Sequence, residues 1–214
     1  MTALLSVGAA VDLFTSGVSL YTWNLMRDFV GAPTPADPGD PARSEDLGFA
    51  DSLAGGAALV RGPLYLATAV VFVIWFHRVR CNGQVFRPDG FSQSAGWAIG
   101  GWFVPLANFF LPYRTARETW NASTQYAADG SYRQVSGAPV VAWWVVFAAS
   151  WALAWVASWK YRTAETTAAA GGADLFSAVA DLTGVVAAVL AVAFVRKLTA
   201  MQHVKATQGP NAAA

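Results

Sequence analysis

LYLATAVVFVIWF at residues 64–76 and VVAAVLAVAFV at residues 185–195 are the two stretches that decide the fold. Neither contains a charged side chain, and each lies in a longer apolar segment. A helix that crosses a bilayer core about 30 Å thick needs about 20 mainly apolar residues. Four segments meet this requirement, at residues 4–25, 57–77, 140–159 and 175–196. The sequence therefore predicts an all-α fold, a polytopic membrane helix bundle with four transmembrane helices.

The composition supports the same class of protein. Soluble domains carry about a quarter charged residues, whereas this chain of 214 residues has 13% charged residues, 55% hydrophobic residues and ten tryptophans. A net charge of +1 argues against a nucleic-acid partner, which requires a concentrated basic surface. Cys81 is the only cysteine, so one chain forms neither a disulfide nor a multi-thiolate zinc site. We predict a single membrane domain over residues 1–214, without cofactor or metal.

A fifth apolar segment, residues 95–111, is interrupted by glycines and prolines. Gly100 and Gly101 lie near its start, and Pro105 follows, so one straight helix is not expected. Two alternatives are open, a broken spanning helix or a re-entrant or interfacial segment. The residues that characterise this broken segment are Trp97, Trp102, Pro105, Asn108 and Pro112.

The charges of the connecting loops distinguish these alternatives through the positive-inside rule. Residues 27–52 are acidic and rich in proline and glycine, which predicts an irregular external loop. Residues 78–94, residues 113–137 and the C-terminal tail are basic, which predicts that all three are cytoplasmic. These three basic segments lie on the same side of the membrane only if residues 95–111 enter and leave the membrane on the cytoplasmic side. We therefore predict four spans plus a re-entrant or interfacial segment in the cell (plasma) membrane, with both termini cytoplasmic.

Three ionisable residues, Asp12, Arg61 and Asp181, fall inside the predicted spans. Such groups cost about 2.5 to 3.5 kcal/mol on insertion scales, so they usually face the bundle interior and pair. Arg61 and Asp181 lie roughly 6 Å and 9 Å below the predicted outer ends of their helices, which predicts that they meet. Asp12 lies deeper in the first helix. The three residues form either a proton or cation relay or a salt bridge that fixes helix register.

Basic residues follow the second predicted span, at Arg78, Arg80 and Arg87. A basic residue close to anionic lipid headgroups contributes about 1 kcal/mol to membrane binding. The same residues also serve as topology anchors. Binding to anionic headgroups and simple anchoring are both consistent with this pattern.

Small residues recur at four-residue spacing on the last span, at Ala180, Gly184 and Ala188. This spacing is typical of helices that approach each other closely. On the third span, Trp151 and Trp155 lie deeper than Trp143 and Trp159, which are near its two ends. We expect them either to pack against the small-residue helix or to line a hydrophobic ligand site.

The stretch VIWFHRVRCN at residues 73–82, the stretch GWAIGGWFVPLAN at residues 96–108 and the pair Pro112 and Tyr113 resemble a known family. The chain resembles the domain of unknown function 4328 family from roughly residue 50 to the tail. This resemblance implies a multi-pass membrane protein of a mostly actinobacterial group. It implies no activity and no functional residues.

No enzyme motif is found in the sequence. H-E-x-x-H, G-x-S-x-G, a Walker loop and a G-x-G-x-x-G turn after a strand are all missing. The first hypothesis is therefore a non-enzymatic scaffold or accessory subunit that docks a membrane protein partner through its basic segments and small-residue helix face. The alternative is a small homo-oligomeric transporter or channel, with its path lined by Asp12, Arg61, Asp181 and the broken segment near Asn108.

Overall fold

The computed structural model describes residues 1–31, 41–127, 129–131, 133 and 135–208. Within these ranges the helices are α1 (Thr2–Gly31), α2 (Pro41–Phe86), α3 (Trp97–Gly100), α4 (Leu111–Ala122), α5 (Ala138–Arg162) and α6 (Thr167–Gln208). Single 3-10 turns occur at Pro88–Gly90 and Ala107–Phe109. The predicted all-α fold is confirmed.

Four of these helices, α1, α2, α5 and α6, are long and apolar enough to cross a membrane. Each contains one of the predicted spans. α2 has 46 residues and α6 has 42, which makes them about 69 Å and 63 Å long at 1.5 Å per residue. Both are roughly twice as long as a hydrocarbon core requires. The apolar pattern therefore locates the spans but not the helix ends, because a helix can continue through polar residues outside the apolar segment.

The predicted irregular loop at residues 27–52 is wrong at both ends. α1 continues to Gly31 and α2 begins at Pro41, so residues 41–52 are helical. A proline at the first helical position loses no hydrogen bond, because that N–H has no partner within a helix. The rest of the predicted loop, residues 32–40, lies outside the described residues.

The contacts divide the chain into two compact units, where the sequence predicts one membrane domain. The first, which we name the loop unit, combines Met1–Leu5, Ala67–Val145 and Leu190–Ala214. The second, which we name the four-helix unit, combines Ser6–Leu66 and Val146–Val189. All four long helices contribute to the four-helix unit.

The four-helix unit is apolar on its outer surface and carries polar side chains inside. Leu59, Leu66 and Trp155 are 79%, 68% and 65% exposed. Asp12 and Asp181 are both buried. This distribution is the reverse of that in water-soluble proteins, in which acidic residues are almost never fully buried unless they are paired.

The loop unit is built around stacked aromatic rings. The Phe194 ring of α6 lies 4.7 Å from that of Trp143 of α5 and 6.2 Å from that of Trp120 of α4, measured between centroids. Phe76 of α2 and Leu198 of α6 belong to the same buried cluster. Full burial of one such side chain contributes about 1.5 to 3 kcal/mol. Within the loop unit, the cluster therefore holds four helices together.

The basic C-terminal segment takes part in the interior of the loop unit. Lys205 is buried, and its Nζ donates hydrogen bonds to the carbonyl oxygens of Ala122 and Thr124 at 2.9 and 2.6 Å. These carbonyls lie at the C-terminal end of α4, where a cation complements the helix dipole. Lys205 therefore caps α4, a role that its position in the sequence does not indicate.

Residues 95–111 form no helix longer than α3, which has four residues. Leu106 adopts a φ of 64°, in the left-handed region that is uncommon for residues other than glycine. Around it, Phe103 and Phe110 are 74% and 70% exposed, as is Leu106 at 76%. The predicted break in the backbone is confirmed. The position of this apolar tip relative to a membrane stays a prediction.

Candidate functional site

Arg61 of α2 lies between two carboxylates inside the four-helix unit. Its Nη2 is 2.6 Å from Asp181 Oδ1 and 3.1 Å from Asp12 Oδ1. The predicted pair of Arg61 and Asp181 is confirmed, and Asp12 of α1 joins it instead of lying deeper. The depth of Arg61 was measured from the predicted start of its span at residue 57. The observed helix α2 begins at Pro41, so Arg61 lies about 30 Å along it.

Tyr65 completes this cluster, although the sequence analysis did not identify it. Its hydroxyl donates a hydrogen bond to Asp12 Oδ1, and the Arg61 guanidinium lies 5.2 Å from the centroid of its ring. Tyr65 follows Arg61 by four residues, so both side chains share one helix face. This spacing is the signal that could have found it. We refer to Asp12, Arg61, Tyr65 and Asp181 as the charged cluster.

Close packing between α1 and α6 positions Asp12. Ser16 Oγ donates a hydrogen bond to the Ala178 carbonyl oxygen at 3.3 Å. A Cβ atom added at Gly184 would lie 2.9 Å from Asp12 Oδ2, which is closer than real contacts allow. The small-residue face of α6 is therefore used for packing inside the unit at Gly184.

Replacement of Gly184 by alanine is expected to displace the Asp12 carboxylate from Arg61 and Tyr65. Overpacking of this kind costs typically about 1 to 3 kcal/mol, so the thermal unfolding midpoint in detergent should fall. Gly17→Ala is the matched control, because no atom lies within 4 Å of its added Cβ. The Gly17→Ala variant should leave the stability unchanged or increase it by up to about 1 kcal/mol, because alanine has a higher helix propensity than glycine. Equal midpoints for Gly184→Ala and the unmodified protein would contradict the close contact.

A cavity of about 500 Å³ lies beside the charged cluster, within the four-helix unit. This volume is in the range of about 300 to 1,000 Å³ that is usual for small-molecule sites. Its lining consists of the charged residues Arg61, Asp174 and Asp181, the hydroxyl-bearing residues Thr15, Ser19, Tyr65, Ser158, Tyr161 and Ser177, and the apolar residues Val18, Ala54, Ala58, Ala154, Ala157 and Ala180. Polar groups in a cavity lined by four apolar helices make it the candidate functional site.

Asp174 of α6 is a cavity residue that the sequence analysis missed. Only 5% of it is exposed, and its Oδ2 has no hydrogen-bond partner among the residues that the structure describes. It lies one residue before the predicted last span, at residues 175–196, so it is not among the ionisable residues predicted inside the spans. Asp174 precedes Asp181 by seven residues, or two helical turns, so both lie on one face of α6. That spacing is the signal in the sequence.

The broken segment belongs to the loop unit and contributes no residue to the cavity lining. The Trp102 ring packs against Phe72 and Phe76, with centroids 5.6 and 5.8 Å apart. Pro112 is buried in the first turn of α4, and Trp97 is 40% exposed. Trp102 and Pro112 are therefore part of the packing of the loop unit.

Asn108 and Pro105 belong to the loop unit, and neither lines the cavity. Pro105 is exposed. Asn108 is partly buried, and its Oδ1 has no hydrogen-bond partner in the described part of the chain. A solute path lined by Asn108 together with the charged cluster has no counterpart in the cavity lining.

The three arginines expected at the membrane surface, as headgroup ligands or as topology anchors, differ in exposure. Arg80 is only 2% exposed, donates a hydrogen bond to the Gln93 carbonyl oxygen at 2.6 Å, and lies 3.4 Å from the centroid of the Phe91 ring. The prediction is wrong for Arg80, because the helix continues beyond the span and turns this side chain into the loop unit. Arg87 is partly buried, and Arg78 is exposed.

The tryptophans in the middle of α5 face outward. Trp151 and Trp155 are 63% and 65% exposed, and neither lines the cavity. The expected packing of these rings against the small-residue helix is therefore wrong. Among the described residues, no group of three or more His, Cys, Asp or Glu side chains is placed to hold a metal ion.

One family model matches the chain, the Domain of unknown function (DUF4328), over residues 41–200. The match runs from the first residue of α2 into α6 and so covers well over half of the chain. Neither the curated proteins nor the solved structures contain a match to the chain. Because the match includes both stretches that carried the resemblance, at residues 73–82 and 96–108, the chain belongs to the family of the Domain of unknown function (DUF4328).

Proposed function

We propose that this protein is a multi-pass integral membrane protein of the cell membrane that binds a small solute in the cavity of its four-helix unit, as a member of the transporter or channel class. The cavity itself carries the proposal, because it is lined by charged and hydroxyl-bearing side chains inside helices apolar enough to cross a membrane. Ionisable groups at membrane depth are costly, so they usually face the bundle interior or a water-filled space.

The outer surface of the four-helix unit supports the membrane location. Leu59 and Leu66 project from α2 and Trp155 projects from α5, and each is more than 60% exposed. Extended apolar surface of this kind marks contact with lipid or with another protein. Under the positive-inside rule, the basic segments support a cytoplasmic location of both termini. The exposed Arg78 is then positioned to contact anionic lipid headgroups.

A role as a scaffold or accessory subunit has less support from the same contacts. It relied on the small-residue face of α6 and on the basic residues after the second span. Gly184 packs against Asp12 of α1, and Arg80 is buried. Both features are therefore used within the chain. Because four spans are few for a monomeric carrier, the proposal includes assembly as a homo-oligomer.

Cysteine labelling tests the cavity and the topology together, in a Cys81→Ser background. Ser177→Cys, in the cavity wall about 15 Å from the start of α6, is expected to react with an impermeant methanethiosulfonate added to intact cells. Val179→Cys is the matched control, since it lies two residues further along on the outer surface and is 44% exposed. It should stay unlabelled, because the reactive thiolate does not form in lipid.

Ser131→Cys, in the basic segment before α5, provides the second arm of this experiment. It is exposed, and it should be labelled by an impermeant maleimide only after the cells are permeabilised. If Ser177→Cys were as unreactive as Val179→Cys, the cavity would hold no water and the proposed function would fail. If Ser131→Cys were labelled in intact cells, the proposed orientation would be wrong.

A further inference from the structure

The cavity wall contains one acidic side chain without a cation. Asp174 lines the cavity and is 95% buried, because only 5% of it is exposed. Its Oδ2 accepts no hydrogen bond from any described residue. The Asp174 side chain is hydrogen-bonded to Tyr161, but a buried carboxylate oxygen left without a partner is costly, because burial removes the water that would solvate its charge. A bound solute that donates a hydrogen bond to Asp174 Oδ2 would remove this cost.

Two basic side chains of the four-helix unit, Arg61 and Lys160, make contacts other than with Asp174. Arg61 pairs with Asp12 and Asp181. The Lys160 ammonium lies 4.8 Å from the centroid of the Phe176 ring. These contacts leave Asp174 without an ion pair among the described residues.

The remaining charges around the cavity increase its affinity for a cation. Arg162 donates a hydrogen bond to Ser158 Oγ at 3.0 Å, so a second guanidinium lies next to the cavity lining. Asp51 of α2 acts on Asp174 as a like charge. The four carboxyl groups of Asp12, Asp51, Asp174 and Asp181 therefore outnumber the guanidinium groups of Arg61 and Arg162. An anionic solute would meet repulsion at the Asp174 end of the cavity.

We propose that the cavity binds an organic cation whose primary ammonium group pairs with Asp174. This inference rests on the proposed solute-binding function and names the class of solute. An ammonium group offers three donors, which the Asp174 carboxylate and the Tyr161 hydroxyl oxygen can accept. The alanines on three of the helices leave space for an apolar body. A bare metal ion fits less well, because the described residues offer no set of three acidic, histidine or cysteine ligands.

Protection of Ser177→Cys from labelling tests the inference on the full chain in nanodiscs. The probe is 2-phenylethylammonium, and the matched neutral compound is 2-phenylethanol. The amine is expected to slow labelling in a saturable way, whereas the alcohol at the same concentration has little effect. Asp174→Asn should weaken the protection by about 10-fold or more, since a hydrogen bond to a charged group contributes about 1.5 to 3 kcal/mol. Asp46→Asn, at an exposed position of α2, should leave it unchanged.

The outcomes separate this inference from the proposed function. Labelling of Ser177→Cys with equal protection by amine and alcohol, or with none by either, would overturn the cation site and leave the water-accessible cavity intact. Protection by the amine that persists unchanged in Asp174→Asn would also overturn it. Absence of labelling in the first place would remove the cavity and both proposals with it. The comparison of amine and alcohol needs no Asp174 variant, so it tests the cation site even if Asp174→Asn fails to fold.

Discussion

Replacement of Arg61 by methionine is expected to lower the free energy of unfolding by about 3 kcal/mol. The change leaves the Asp12 and Asp181 carboxyl groups buried without their shared cation, and loss of one partner from a buried ion pair typically costs about 3 to 5 kcal/mol. The lower end of this range applies because 30% of the Arg61 side chain is exposed. Reversible unfolding in mixed detergent micelles measures the difference.

Arg114→Met is the control for the loss of a single arginine. Arg114 pairs with Glu118 at 3.2 Å, but 56% of its side chain is exposed, and exposed pairs contribute at most about 1 kcal/mol. A second comparison removes the buried charges as well, through Arg61→Met combined with Asp12→Asn and Asp181→Asn. This triple variant should recover part of the lost stability, because no uncompensated charge remains. Equal losses for Arg61→Met and Arg114→Met would show that the charged cluster is fully hydrated.

The pair of Arg61 and Asp181 could be predicted from the sequence because the physics leaves few alternatives. A charge inside an apolar span requires a partner, and few ionisable residues occur in the spans. The same reasoning did not predict that Asp12 joins this pair, because the depth of Asp12 was measured from the ends of the apolar segment, which are not the ends of the helix. α1 and α2 both continue beyond those boundaries. Polar residues at a helix end cost nothing once they are outside lipid, so composition does not mark where the helix stops.

Tyr65 and Asp174 show a different limit of the sequence. Each lies at a helical spacing from a charged residue that was recognised, four residues after Arg61 and seven before Asp181. Tyrosine within a span is common, however, and Asp174 lies just outside the predicted one, so neither stands out. Their importance arises from the helices that they face, which only the tertiary structure defines. Arg80 is the opposite case, since the pattern predicts a solvated anchor and packing against Phe91 buries it.

Replacement of Phe194 by alanine is expected to have the largest effect on stability, a loss of about 4 kcal/mol. Phe194 is fully buried, and its ring stacks on Trp143 with an interplanar angle of 8° and a centroid distance of 4.7 Å. Truncation of a buried phenylalanine to alanine costs about 3 to 5 kcal/mol, because the lost apolar contact is added to the cost of the cavity that remains. The Trp120 and Trp143 rings flank the site, so tryptophan fluorescence in detergent reports unfolding directly.

Phe110→Ala makes the same chemical change in the same unit at a position that is 70% exposed. Because this side chain buries little surface within the chain, the unfolding midpoint should hardly move. The difference between the two variants therefore isolates the contribution of the aromatic cluster from the loss of a phenyl ring as such. If Phe110→Ala destabilised the protein as much as Phe194→Ala, the apolar tip would contribute to folding through contacts outside the chain, and the detergent that surrounds the protein would be the first candidate for them.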